Sequence, residues 1–225
     1  MRRLAVQYRI THLTLREMAL ISYEELAAGL EESWLIAGLH EHAVIESIQL
    51  ETLDRTYRAE LFPEHPEPIG EGWSPPWVEL NLVWTAAHQL ASEGRDIAPG
   101  PLELAWTYTV DIRSFDRSDA ELIRAFNGAV RAALRRVAPD LPPPSDYIAV
   151  EIRRGYRIND KPSPVYVQIV GTNVTDLSDL WGQRSPEALR DVLRGELLIV
   201  ATLLHSLGET FTPGGIGGYR SVDTA

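Results

Sequence analysis

Apolar and polar residues alternate through Leu4, Val6, Tyr8 and Ile10, and a period of two predicts a half-buried strand. Ser22-Tyr23-Glu24-Glu25 then reads as a capping box, with the serine over the helix N-terminus and Glu25 reaching back to it. Leu26, Leu30 and Trp34 continue it as a helical stripe to about Ala43. From Ile45 to Phe62 the pattern predicts one long strand, or two joined near Asp54-Arg55. Residues 63–76 hold five prolines and two glycines and predict a loop. Trp77 to Trp84 alternates again, while Thr85 to Ser92 fits either a strand continuation or a short helix. Gly94 to Pro101 reads as another loop.

The second half repeats this rhythm. Leu102, Leu104, Trp106, Tyr108, Val110 and Ile112 form the clearest strand pattern in the chain. Ser118-Asp119-Ala120-Glu121 is a second capping box, and its helix runs to about Val137 with Leu122, Phe126, Val130, Ala133 and Leu134 inward. Pro139 to Pro144 ends it. Tyr147–Arg157 and Pro164–Thr172 predict two strands joined by a turn at Asn159-Asp160-Lys161-Pro162. Ser185-Pro186 opens a last helix, Glu187 to Leu207, apolar on most sides from Leu197 onward and so expected to be the most buried.

The order β-α-β-β, β-α-β-β, α points to an α+β fold, a mixed or antiparallel sheet with helices on one face. It suggests one domain over residues 1–225, built from pseudo-repeats 1–95 and 101–182, a C-terminal helix 185–207 and a glycine-rich tail 208–225. Side-chain identity between the halves is poor, so the duplication rests on element order.

Composition narrows the function classes. Among 225 residues there is no cysteine, which excludes disulfides, thiolate metal sites and thiol nucleophiles and fits a reducing, cytoplasmic setting. Early charges at Arg2 and Arg3 do not suit a signal peptide, and Leu197–Leu204, the longest apolar run, falls far short of a membrane span. A net charge of −11 argues against nucleic acid as a partner. The basic residues are arginines except for Lys161, whose turn-like surroundings make a poor phosphate or Schiff-base site.

No motif of a serine hydrolase, zincin, phosphate loop or dinucleotide fold is present. His40-Glu41-His42 is a tight histidine cluster, but on a helix two positions apart point to different faces. Only an extended chain would let the pair chelate, with Glu46 as third ligand. No metal and no cofactor is therefore expected.

Charge on two helices is the most specific feature. Glu24 and Glu31 lie seven apart, as do Glu25 and Glu32, which makes an acidic row. Arg124, Arg131 and Arg135 make a basic row at the matching place in the second half, with Arg136 beside them. Opposite rows can meet within one chain or across a subunit boundary. Trp73 and Trp77 flank a proline-rich loop and suit partner anchors. Tyr219 and Arg220 end a glycine-rich tail that can dock on a partner. These features favour a non-catalytic interaction or assembly protein, a homo-oligomer or a subunit of a complex, with Glu24, Glu31, Arg124, Arg131, Arg135, Trp73, Trp77, Tyr219 and Arg220 at its contacts. The alternative is a small-molecule binder or enzyme with a pocket between sheet and helices, using Tyr8, Tyr108, Asp111 and Arg113.

Overall fold

The computed structural model describes residues 20–63, 75–112, 117–156, 164–183 and 185–211. Helix α1 (Tyr23–Ile36) starts at the expected capping box, in which Ser22 Oγ accepts the Glu25 N–H at 3.2 Å and the Ser22 N–H donates to the Glu25 carboxylate at 2.8 Å. It ends well before Ala43. Gly38 takes φ 72°, and its N–H donates to the Leu35 carbonyl at 3.1 Å. That left-handed conformation is open to glycine at no steric cost, and it turns the chain out of the helix. His40-Glu41-His42 therefore lies in a strand, β1 (Leu39–Gln49), and not at a helix C-terminus.

A four-residue turn separates β1 from β2 (Asp54–Pro63), so Ile45 to Phe62 is two strands. Strand β3 (Trp77–Trp84) follows, then α2 (Ala86–Ser92). Thr85 decides the ambiguity after Trp84. Its Oγ1 accepts the His88 N–H at 3.3 Å, and its own N–H donates to His88 Nδ1 at 3.0 Å, a capping box with histidine in the place of glutamate. With Nδ1 accepting, Nε2 carries the proton and donates to the Gly100 carbonyl at 3.2 Å. The His88 ring is enclosed by Trp84 and Trp181, with centroids 5.4 Å and 5.0 Å away. Burial holds its pKa below the ordinary imidazole value.

Strand β4 (Glu103–Ile112) leads to α3 (Asp119–Val137), capped by Ser118 and Glu121 as the sequence predicts. A single turn, α4 (Pro144–Tyr147), precedes β5 (Ala149–Tyr156) and β6 (Pro164–Asp176). Then come α5 (Ser178–Gln183) and the long α6 (Pro186–Phe211).

The six strands form one sheet in the order β1-β2-β3-β4-β6-β5, and every neighbouring pair is antiparallel. The fold is α+β. A helix followed by a hairpin supplies each edge: α1 with β1–β2 on one side, α3 with β5–β6 on the other. The strand at residues 4–10, which would open the first pseudo-repeat, lies outside the described residues.

Registers put Tyr57, Ala59 and Leu61 of β2, Val78, Leu80 and Leu82 of β3, and Leu104, Trp106, Tyr108 and Val110 of β4 on one face, all buried. Helix α6 covers the middle of this face, packed between α1 and α3. Leu193, Leu197, Val200, Leu203, Leu204 and Leu207 of α6 are buried there, each such side chain worth about 1.5–3 kcal/mol over leaving it in water. Ser206, also buried on α6, donates to the Ala129 carbonyl of α3 at 2.9 Å. Gly171 of β6 sits opposite Tyr108, and Phe126 of α3 fills the space that a side chain there would need.

Candidate functional site

The β1–β2 hairpin is where the fold leaves apolar surface uncovered. β1 is an edge strand, and of its eleven residues only Leu39 is buried. Val44, Ile45 and Ile48 are exposed along it, and Leu50 and Leu53 at its tip are 85% and 63% exposed. Leu53 also holds φ 62°, a left-handed conformation that costs a leucine about 1–2 kcal/mol. Ile48 and Leu53 join Trp84, Ala86 and Leu90 around a groove of ≈ 330 Å³. A bulge between Glu41 and Ala43 breaks the ladder near the start of β1, so Ala43–Gln49 is the straight part of the free edge. A long apolar edge with unpaired backbone groups is a template for another chain.

The acidic row of α1 is spent within the chain. Glu24 pairs with Arg55 at 2.9 Å, and Glu32 with Arg194 at 2.7 Å and Arg190 at 3.8 Å. Glu31 accepts from Tyr57 Oη at 3.4 Å, and Glu25 serves the cap. The acidic and basic rows therefore do not meet inside one chain, because α6 lies between the helices that carry them. Around the hairpin, Glu31, Glu41, Glu46 and Glu51 have no ion pair among the described residues. Glu46 accepts from Tyr23 Oη at 3.0 Å, and burial, helped by this carboxylate, pushes the Tyr23 pKa up.

The basic row is free in the same sense. Arg124, Arg131, Arg135 and Arg136 are exposed and form no ion pair among the described residues. Two grooves flank α3. One, of ≈ 310 Å³, runs between Arg131, Arg135 and the Pro142–Pro144 segment. The other, of ≈ 570 Å³, lies toward α6 among Arg117, Arg124, Arg136 and Thr210, with Glu121 and Glu209 also in its lining. The hairpin and α3 stand at opposite ends of the helix layer.

Trp77 packs its ring on Phe62, with centroids 6.1 Å apart, and is half-buried. Trp73, Tyr219 and Arg220 lie outside the described residues. So do Tyr8 and Arg113 of the alternative pocket. The two residues of that set that are described do not converge: Tyr108 points to the helix side of β4, and Asp111, three positions on, to the opposite face. No group of three or more metal-binding side chains occurs among the described residues, His40, His42 and Glu46 included. No helix among them is long and apolar enough to cross a membrane.

Around Tyr108 the structure gathers polar side chains from four elements. Asn173 of β6 sits across from Trp106 of β4, and Thr175 accepts from Trp106 Nε1 at 3.0 Å. Thr175 in turn donates to Glu196 of α6 at 2.9 Å. Tyr147 of α4 stands near Asn173 without closing a hydrogen bond of normal geometry. Burial raises the pKa of Tyr108, Tyr147 and Glu196 alike, and Glu196 adds to the rise in both tyrosines. Tyr108 Oη and both amide atoms of Asn173 are buried and have no hydrogen-bond partner among the described residues. Asn173, Tyr147 and Glu196 carry no periodic signal of their own, and only the β4–β6 pairing and the α6 packing bring them together.

Comparison with known family models, with curated proteins and with solved structures finds no match to this chain.

Proposed function

We propose that this chain is a non-catalytic assembly protein whose copies join head to tail, the β1–β2 hairpin of one against the arginine face of α3 on the next. The observation that carries this reading is segregation. Exposed apolar residues and unpaired glutamates share one end of the molecule, and unpaired arginines line grooves at the other. Pairing β1 with its own copy would bring Glu41, Glu46 and Glu51 close to their counterparts, which like-charge repulsion opposes. The groove beside Arg131 and Arg135 offers the opposite sign.

Division of labour follows from the magnitudes. Exposed ion pairs contribute about 0.2–1 kcal/mol each, so the charges choose partner and orientation. Ile45, Ile48, Leu50 and Leu53 supply affinity, at about 25 cal/mol for each Å² of apolar surface removed from water. A heterologous contact of this kind closes into a ring or grows into a filament. The absence of cysteine and the net charge of −11 support a reducing, cytoplasmic setting and a protein partner in place of nucleic acid.

Light scattering on the purified chain tests the reading. A mass above 25.2 kDa at low salt, falling as salt is raised, is the expected result. Reversing Arg131 and Arg135 to glutamate should return the mass to that of one chain. A single-chain mass at every concentration and salt, or an assembly indifferent to the reversal, would contradict it.

A further inference from the structure

The sequence holds one strand pattern more than the six strands use, the alternation of Leu4, Val6, Tyr8 and Ile10. Among the described strands β2, β3, β4 and β6 each have two neighbours, which leaves only the edges, β1 and β5, open to another. Charge separates the two edges. Residues 1–19 carry Arg2, Arg3, Arg9 and Arg16 against Glu17, a net charge of +3 in a chain whose total is −11. Residues 39–53 carry Glu41, Glu46 and Glu51 and no arginine or lysine, whereas β5 carries Arg153 and Arg154 against Glu151. Opposite charges on neighbouring strands attract and like charges repel, so a basic segment suits β1 and not β5.

The β1 edge also offers an apolar side. Val44 sits opposite Ala59, and Glu46 opposite Tyr57, both buried beneath the helices; Val44 and Ile48 therefore point to the helix side, where they are exposed. Leu35 of α1, 68% exposed, lies one turn beyond Glu31, whose bond to Tyr57 Oη places that flank of the helix over the hairpin. A strand with Leu4, Val6, Tyr8 and Ile10 on one face and Arg3 and Arg9 on the other fits this edge. Its apolar face covers Leu35, Val44 and Ile48, and its arginines stay in solvent.

The chain reaches the edge easily. Ile21 is buried and its carbonyl accepts from Trp181 Nε1 at 2.9 Å, and two residues on, Tyr23 Oη donates to Glu46 of β1 at 3.0 Å. Residues 11–19 can span up to about 30 Å, while either end of Ala43–Gln49 is only about 10 Å from Glu46. A tether this short gives an effective concentration on the order of millimolar, which favours the chain's own segment over a neighbour's.

We infer that residues 4–10 dock as an added strand on Ala43–Gln49 of the same chain, where they pair the backbone groups that β2 leaves turned outward. Residues 50–53 lie beyond this ladder, so the head-to-tail contact stands or falls separately.

Amide exchange by NMR tests this on the full chain carrying Arg131→Glu and Arg135→Glu, which removes the head-to-tail contact. Along Ala43–Gln49, alternate N–H groups face β2 and the free edge. The edge-facing set should exchange at least tenfold more slowly than in the same chain with Val6→Pro and Gln7→Pro added. Adjacent prolines remove one donor from each side of the segment, so the ladder breaks in either register. Exchange of the β2-facing set and of β3 and β4 should not change, which separates lost docking from lost folding. Arg3→Glu with Arg9→Glu should speed the same edge-facing amides. Free exchange of those amides without the prolines, or protection that survives them, would overturn the assignment. So would protection along β5 instead, or protection that rises with protein concentration, as docking on a second copy requires.

Discussion

Replacing Gly171 with alanine adds one methyl group at a crowded point of the sheet–helix interface. A Cβ there would lie 2.6 Å and 2.9 Å from two atoms of the Phe126 ring and 2.8 Å from Ile148 Cγ2, where ordinary contact begins at 3.4 Å. Phe126 must withdraw by most of an ångström. It is wholly buried between α3 and the sheet, so the shift spreads into its neighbours. Overpacking of this kind costs about 1–3 kcal/mol. In a chain of this length each kcal/mol lowers Tm by about 2–4 °C, which predicts a fall of roughly 2–12 °C. Calorimetry and the urea midpoint measure it directly. The cause is separable from any general effect of alanine, because Phe126→Leu opens the space the methyl needs. The double variant should therefore be more stable than the two single losses predict, by about 0.5–3 kcal/mol. A Gly171→Ala protein that melts within about 1 °C of the parent would refute the packing described for α3 on β6.

Two further predictions concern titration and backbone strain. His88 is neutral in the fold and its pKa is lowered from 6.5, so its contribution is present above that pH and lost as pH falls through it. Urea unfolding between pH 7 and 5 should show this loss, and His88→Gln should remove that part of the slope; an unchanged slope would show that another group is responsible. Leu53→Asn relieves a left-handed leucine and should stabilise the chain by about 0.5–1 kcal/mol while weakening association in light scattering. A loss of stability would mean that the Leu53 side chain belongs to the core instead.

Local signals were legible where one short segment decides the outcome. Ser22 with Glu25, and Ser118 with Glu121, start α1 and α3 as read, and the alternation of β3 and β4 places the right side chains inward. Gly38 is the stop signal that ends α1 short of Ala43. Partner choice in space was not legible. The row of Glu24, Glu31 and Glu32 looked free until β2 and α6 brought Arg55, Tyr57, Arg190 and Arg194 against it. Ile45 and Ile48 read as part of a strand, and only the sheet order makes β1 an edge. The cluster at Tyr108 depends on residues up to 88 positions apart, from Tyr108 to Glu196, meeting through β4–β6 pairing and helix packing.

Head-to-tail contact has a signature that no symmetric interface shares. A chain with Ile45, Leu50 and Leu53 replaced by serine loses its hairpin end but keeps its α3 face. A chain with Arg131 and Arg135 reversed to glutamate loses the α3 face but keeps its hairpin. Alone, each should scatter as a single chain. Mixed in equal amounts, they should form a capped dimer of twice the 25.2 kDa chain mass and grow no further. If the mixture stays at single-chain mass, or if either variant still assembles alone, copies of this protein do not join in the way described.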